Sequence, residues 1–115
     1  MKKIYHLKTC DTCRRILKSI NLEGVELQEI KTQEITVAQL EEMHSLSGSY
    51  EALFSKRAQL YKSRGLKDMD LSEEDYKGLI LETYTFLKRP VAIINGKIFI
   101  GNSKNNIEAL RNELA

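Results

Sequence analysis

The sequence predicts an α/β protein: a four-stranded mixed sheet flanked by helices, with an all-helical insertion between the two halves. Three observations carry that prediction. A strand–helix–strand pattern fills residues 3–30. A hairpin signal, Asn95-Gly96, separates two short apolar runs near the C-terminus. Between these halves, from about residue 33 to 87, apolar residues recur at helical rather than strand spacing.

Taken in order, "KIYHL" reads as the first strand, followed by "TCDTC" and a helix through about Asn21. In that helix Cys13, Ile16, Leu17 and Ile20 share one face at three- to four-residue spacing. Gly24 ends the unit, and "VELQEI" alternates as a half-buried strand should, with Val25, Leu27 and, after an interruption, Ile30 apolar. A helical crossover makes the two strands parallel. "TVAQ" at 36–39 has the form of a capping box, and Val37, Leu40 and Met43 keep helical spacing up to Gly48. "SYEALFSKRAQLYKSRG" predicts short helices ending at Gly65. "SEEDYKGLILETYTFL" opens with a serine cap and acids in its first turn, and places Tyr76, Leu79, Ile80, Thr83 and Leu87 on one side. In "KRPVAIINGKIFIGN" the runs "VAII" and "KIFI" are joined by Asn-Gly and are therefore antiparallel. Pro90 sits at the start of its strand, where its missing N–H does least damage. "SKNNIEALRNELA" is a helix with Ile107, Leu110 and Leu114 along one face. This order of elements is that of the thioredoxin-like architecture. With 115 residues the chain is expected to form one domain that buries a core without staples.

Composition narrows the function. No apolar run approaches the roughly 20 residues of a membrane span, so no membrane association is expected. "MKKIYHLKTC" leads into no apolar core of a signal peptide, which predicts a cytoplasmic location. Thiols stay reduced there, and a cysteine pair points to catalysis, sensing or metal rather than a structural disulfide. A net charge of +2 argues against direct nucleic-acid binding, and "KSRGLKDMDLSEED" reads as solvated surface.

The chemistry concentrates in "YHLKTCDTCRR". The first strand delivers Cys10 to a helix N-terminus, where unpaired N–H groups and the helix dipole favour a thiolate. His6, Arg14 and Arg15 add positive potential if they point that way. Cys13, on the apolar helix face, is expected to be half-buried and to serve Cys10 as a shielded partner. Structural zinc would need His6 and His44 beside the two cysteines, but the chain offers no second ligand pair, so no metal is expected. Two inert, packed cysteines are the other alternative, at a junction that is a poor burial site.

"IYHLKTCDTCRR", "ALFSKRAQLYKSRGL" and "LKRPVAIINGKIFIGN" resemble, in order and over nearly the whole chain, the three blocks of the arsenate-reductase (ArsC/Spx) family. That family includes the glutaredoxin-linked arsenate reductases and the Spx transcription regulators. The resemblance implies that Cys10 is the nucleophile and that His6 favours its thiolate. It implies that Arg89 binds an oxyanion and that Pro90 is a cis-proline facing the cysteine loop. The middle-block arginine falls on Arg57 by the Spx-like alignment of "FSKR" and on Ser55 by the reductase pattern. Guanidiniums such as Arg89 and Arg57, with Arg14 nearby in sequence, would clamp a tetrahedral oxyanion. Where the reductases carry a third arginine this chain has "IGNSKN", with Asn102 and Lys104. Cys13 completes the Cys-x-x-Cys of the Spx branch.

Two functions follow from the resemblance. In the first, Cys10 reduces an oxyanion such as arsenate through a covalent thiol intermediate. No bound cofactor is needed: glutathione or another external thiol is the co-substrate, and glutaredoxin or thioredoxin the electron donor. In the second, a Cys10–Cys13 dithiol/disulfide switch regulates binding to an RNA polymerase subunit. A general thiol-disulfide oxidoreductase is a third possibility.

Overall fold

The computed structural model describes residues 1–115, and its first strand, β1 (Lys2–His6), runs from two half-buried lysines into buried Ile4, Tyr5 and His6. Helix α1 (Asp11–Ser19) and strand β2 (Glu26–Glu29) follow. Three helices come next, α2 (Val37–Ser47), α3 (Gln59–Ser63) and α4 (Glu73–Glu82), interspersed with three-residue 3-10 turns. The hairpin β3 (Val91–Ile94) and β4 (Lys97–Ile100) leads into α5 (Lys104–Leu114). The chain divides into a sheet unit, residues 1–34 with 89–115, and a helical unit, residues 35–88.

In the sheet unit the strand order is β2-β1-β3-β4. Strand β1 is parallel to β2 and antiparallel to β3, and β3 is antiparallel to β4, the mixed sheet the sequence predicts. Asn95 (φ 52°) and Gly96 (φ 83°) both adopt positive φ, as a two-residue hairpin turn matched to strand twist requires. Helices α1 and α5 contribute Ile16, Ile107 and Leu110, and the residue that ends α1 contributes Ile20, to a core shared with Ile4 and Ile94 of the sheet. Their C-terminal ends are stitched together: the Asn21 amide donates to the Leu114 carbonyl (3.2 Å) and the Arg111 Nε to that of Ser19 (3.3 Å).

Strand β2 departs from the expected alternation. Leu27 is 42% exposed, whereas Gln28 is 1% exposed. Leu27 is registered with Ile4 and so shares its face, but on the edge strand, at the margin of the core. Gln28 tolerates burial because its amide donates to the carbonyls of Gln33 (3.1 Å) and Glu34 (3.5 Å).

In the helical unit the capping box of Thr36 with Gln39 forms on α2, and the serine cap of α4 is a second capping box, Ser72 with Asp75. Gly48 ends α2 at φ 78°, its N–H donating to the His44 carbonyl at 2.7 Å. Leu40 and Met43 are buried, but Val37, the first helical residue, precedes the buried stripe and is exposed. The single face expected to run from Tyr76 to Leu87 is broken at Thr83. That residue turns extended (φ −152°, ψ 138°) and its hydroxyl caps a 3-10 turn at Tyr84–Phe86. Leu87 is nonetheless buried, because it pairs with Phe54 in an isolated antiparallel bridge. The bridge is framed by Ser55 N–H donating to the Phe86 carbonyl (2.7 Å) and Lys88 N–H to that of Leu53 (2.8 Å). No helix is long and apolar enough to cross a membrane.

Candidate thiol site

The end of β1 dictates where the first cysteine lies. After His6 the chain turns through Leu7–Cys10, closed by the Cys10 N–H donating to the Leu7 carbonyl at 3.1 Å. Cys10 is then the N-cap of α1, with non-helical φ −91° and ψ 111°, and its carbonyl accepts the Arg14 N–H at 3.1 Å. The free N–H groups of the helix's first turn are thereby brought to its sulfur.

Burial pushes the Cys10 thiol up, but opposing interactions win and its pKa is lowered overall. They are hydrogen bonds from the Cys13 backbone N–H and the Cys13 thiol, with the charge and a hydrogen bond of the Arg89 guanidinium. Cys13 behaves oppositely. It is fully buried, not half-buried as expected, because the apolar stripe of α1 continues without a break into its first turn. Burial, opposed by a Leu7 backbone hydrogen bond but reinforced by the thiol and charge of Cys10, pushes it up to about 11. Cys13 therefore keeps its proton at neutral pH, and Cys10 is the sulfur favoured to carry charge.

Arg89 is half-buried immediately ahead of β3, and the Arg89–Pro90 peptide is cis, as the resemblance implies. Pro90 is buried, and its carbonyl accepts the Gly101 N–H at 2.9 Å. That bond draws the loop carrying exposed Asn102, which leads into Lys104 at the start of α5, alongside the proline.

His6 ends β1 and is 7% exposed. Burial lowers its pKa, opposed by the charge of Glu29 and assisted by that of Lys8, so the ring is neutral at neutral pH. The cation that acts on Cys10 is Arg89. Glu29, registered with His6 across β1 and β2, is 9% exposed and was not singled out by the sequence reading. Its Oε2 accepts the Lys8 N–H at 3.0 Å. Its Oε1 accepts the Lys31 N–H (3.1 Å), the Thr32 N–H (2.8 Å) and the Thr32 hydroxyl (2.9 Å). Burial pushes this carboxyl up, but the four hydrogen bonds outweigh it and hold the pKa at about 2. The only sequence signal was a carboxylate closing a strand just ahead of a threonine-bearing turn.

The remaining candidates face solvent or belong to the helical unit. Arg14 pairs with Asp11 on the exposed side of α1, and Arg15 is exposed. Arg57 occupies an exposed turn ahead of α3, in the helical unit. His44 belongs to the same unit, stacked on Tyr50 with ring centroids 4.1 Å apart and its Nε2 3.9 Å from Glu73.

A mixed four-stranded sheet with a Cys-x-x-Cys where β1 meets α1, the first sulfur at the helix N-terminus, defines a thioredoxin-like thiol protein. The model of the ArsC family matches residues 5–110, and the chain belongs to that family. Arsenate reductase of Neisseria meningitidis serogroup A is 26% identical over 112 residues, covering 94% of this chain and 96% of the relative. The protein YfgD of Escherichia coli K12 is 29% identical over 109 residues, covering 91% and 92%. The solved structure of a protein named YFFB shares the fold over 100% of both chains, with a TM-score of 0.81 at 20% identity.

Proposed function

We propose that this chain is a thiol-dependent reductase of the arsenate-reductase type, with Cys10 as its nucleophile. The observation that carries the reading is the environment of Cys10, a thiol at a helix N-terminus favoured as thiolate by Cys13 and Arg89. The full-length similarity to a relative named arsenate reductase supports the substrate class.

In the proposed reaction the Cys10 thiolate attacks the arsenic of arsenate, and a protonated oxygen leaves as water, forming a sulfur–arsenic bond. Arg89 offsets the charge of the bound oxyanion, with Arg57 proposed as a second cation. A second thiol, from glutathione or Cys13, then attacks the Cys10 sulfur. The sulfur–arsenic pair passes to arsenic, which departs as arsenite, leaving Cys10 in a disulfide. Glutaredoxin or thioredoxin supplies the two electrons that restore it. Cys13 suits the second attack: once Cys10 is bonded to arsenic, its charge no longer holds the Cys13 proton in place.

The test is arsenate-dependent consumption of reducing equivalents with glutathione plus glutaredoxin, and separately with thioredoxin. Cys10→Ser should abolish turnover, and Arg89→Ala should lower it by about a hundredfold. No turnover by the wild type with either donor would sink the reading. Turnover that survives Cys13→Ser would assign the second attack to the external thiol.

The pairing of a lowered Cys10 thiol with a raised, buried Cys13 thiol favours one other reading, an Spx-like switch between dithiol and disulfide that governs binding to RNA polymerase. Pull-down of polymerase subunits under reducing and oxidising conditions separates the two, and absence of binding in both states would end it.

A further inference from the structure

Glu29 is a buried anion that the proposed chemistry does not use. Burying a carboxylate is costly unless it is fully hydrogen-bonded, and the chain supplies a donor to it four times. Three of these donors come from Lys31 and Thr32 and serve the turn that leaves β2. The fourth is different in kind. It reaches back 21 residues to the Lys8 N–H, inside the turn that carries Cys10.

We propose that Glu29 is a positioning residue for Cys10: its Oε2, by holding the Lys8 N–H, fixes the Leu7–Cys10 turn against the end of β2 and so aims the Cys10 sulfur at the first turn of α1. The turn is then pinned at successive residues. The His6 carbonyl accepts the Ile30 N–H at 2.9 Å, Glu29 holds Lys8, and the Leu7 carbonyl holds the Cys10 N–H at 3.1 Å. Releasing Lys8 leaves the two residues before Cys10 tied only through the turn's own bond. The Cys13 N–H and the Arg89 guanidinium can favour the thiolate only if the sulfur stays in line with them.

The arrangement also demands a carboxylate rather than a polar group of the same shape. Every partner of Glu29 is a donor, so both oxygens must accept. An amide in that place has one acceptor and one NH2. It must set the NH2 against either Lys8 or the Lys31–Thr32 turn. The three-donor side outvotes the single donor, so Lys8 is the contact expected to be lost.

This inference rests on Cys10 being the nucleophile, but not on the identity of its substrate, and is tested without turnover. The readout is the pH dependence of iodoacetamide alkylation, with the modified cysteine identified by mass spectrometry. Glu29→Gln should raise the alkylation midpoint of Cys10 by about one pH unit, which reads as an approximately tenfold slower reaction below both midpoints. Thr32→Val removes one donor from Oε1 at an exposed residue and leaves Lys8 bound, so its midpoint should match that of the wild type. An unchanged midpoint in folded Glu29→Gln overturns the proposal, as does a Thr32→Val shift of the same size, which would mark general loosening. Amide hydrogen exchange on the wild type gives an independent measure should the glutamine variant not fold. The Lys8 amide lies outside β1 yet should be protected, and fast exchange there would equally end the idea. A wild type inactive on arsenate would leave each of these outcomes standing.

Discussion

The sheet unit and the helical unit solve the burial problem differently. The helical unit closes on an apolar centre that holds an aromatic cluster: the Phe54 ring stacks on Phe86 (centroids 5.0 Å apart) and lies against Tyr76 (4.9 Å) and Tyr61 (5.8 Å). The sheet unit has an ordinary aliphatic core on α1 and α5, but it also contains the buried polar side chains His6, Gln28 and Glu29. All three lie at the C-terminal ends of β1 and β2, the ends from which the chain passes to Cys10 and to the Lys31–Thr32 turn. Polar burial is thus confined to the sheet end from which the reactive loop departs. There, fixed hydrogen bonds define a geometry that apolar packing alone would leave looser.

The largest effect that should sharpen this contrast is expected from Phe54→Ala. Removing a 1% exposed ring with three aromatic neighbours should cost about 3–5 kcal/mol, read as a fall in the urea midpoint of unfolding. A loss below about 1 kcal/mol would mean that the centre of the helical unit is not where its stability resides.

A smaller, pH-dependent effect should mark the sheet unit. The Glu29 carboxyl is held at about 2 in the fold against an ordinary 4.5, so its contribution is complete above pH 4.5 and is lost as pH falls through 2. The amount at stake is up to about 3 kcal/mol. Comparing urea unfolding at neutral and acid pH, the wild type should lose more stability than Glu29→Gln. Equal losses would remove Glu29 from the account.

The smallest effect belongs to the surface of the helical unit. Ser72→Ala dismantles the capping box with Asp75 and should cost about 1 kcal/mol. No change in the unfolding midpoint would show that the acids of the first turn of α4 stabilise its N-terminus without the cap.

Legibility in the sequence followed the same division by kind of interaction. Local signals were faithful: the Thr36 capping box, the serine cap at Ser72, the Asn95-Gly96 turn and the Ile107, Leu110, Leu114 stripe all appear as read. They depend on residues a few positions apart, which is what a pattern can encode. Signals that needed a distant partner were misread or missed. Leu27 looked inward-facing because alternation does not reveal which strand is the edge. The α4 pattern was extended to Leu87 because the burial of Leu87 comes from Phe54, far back in the chain. At the site, Cys10 and Cys13 announced themselves by spacing. Glu29 did not, since what distinguishes it is a hydrogen bond spanning 21 residues.

One consequence of the strand order reaches into the synthesis of the chain. Strand β1 lies between β2 and β3, pairing Lys3 with Glu26 on one side and Lys2 with Ile94 on the other. The first partner leaves the ribosome soon after β1, the second only when most of the chain has been made. Cys10 and its loop partner Glu29 therefore both emerge early, and Arg89 only after the entire helical unit has been translated. A nascent chain stalled before residue 89 carries the thiol pair without the guanidinium that, with Cys13, favours the Cys10 thiolate.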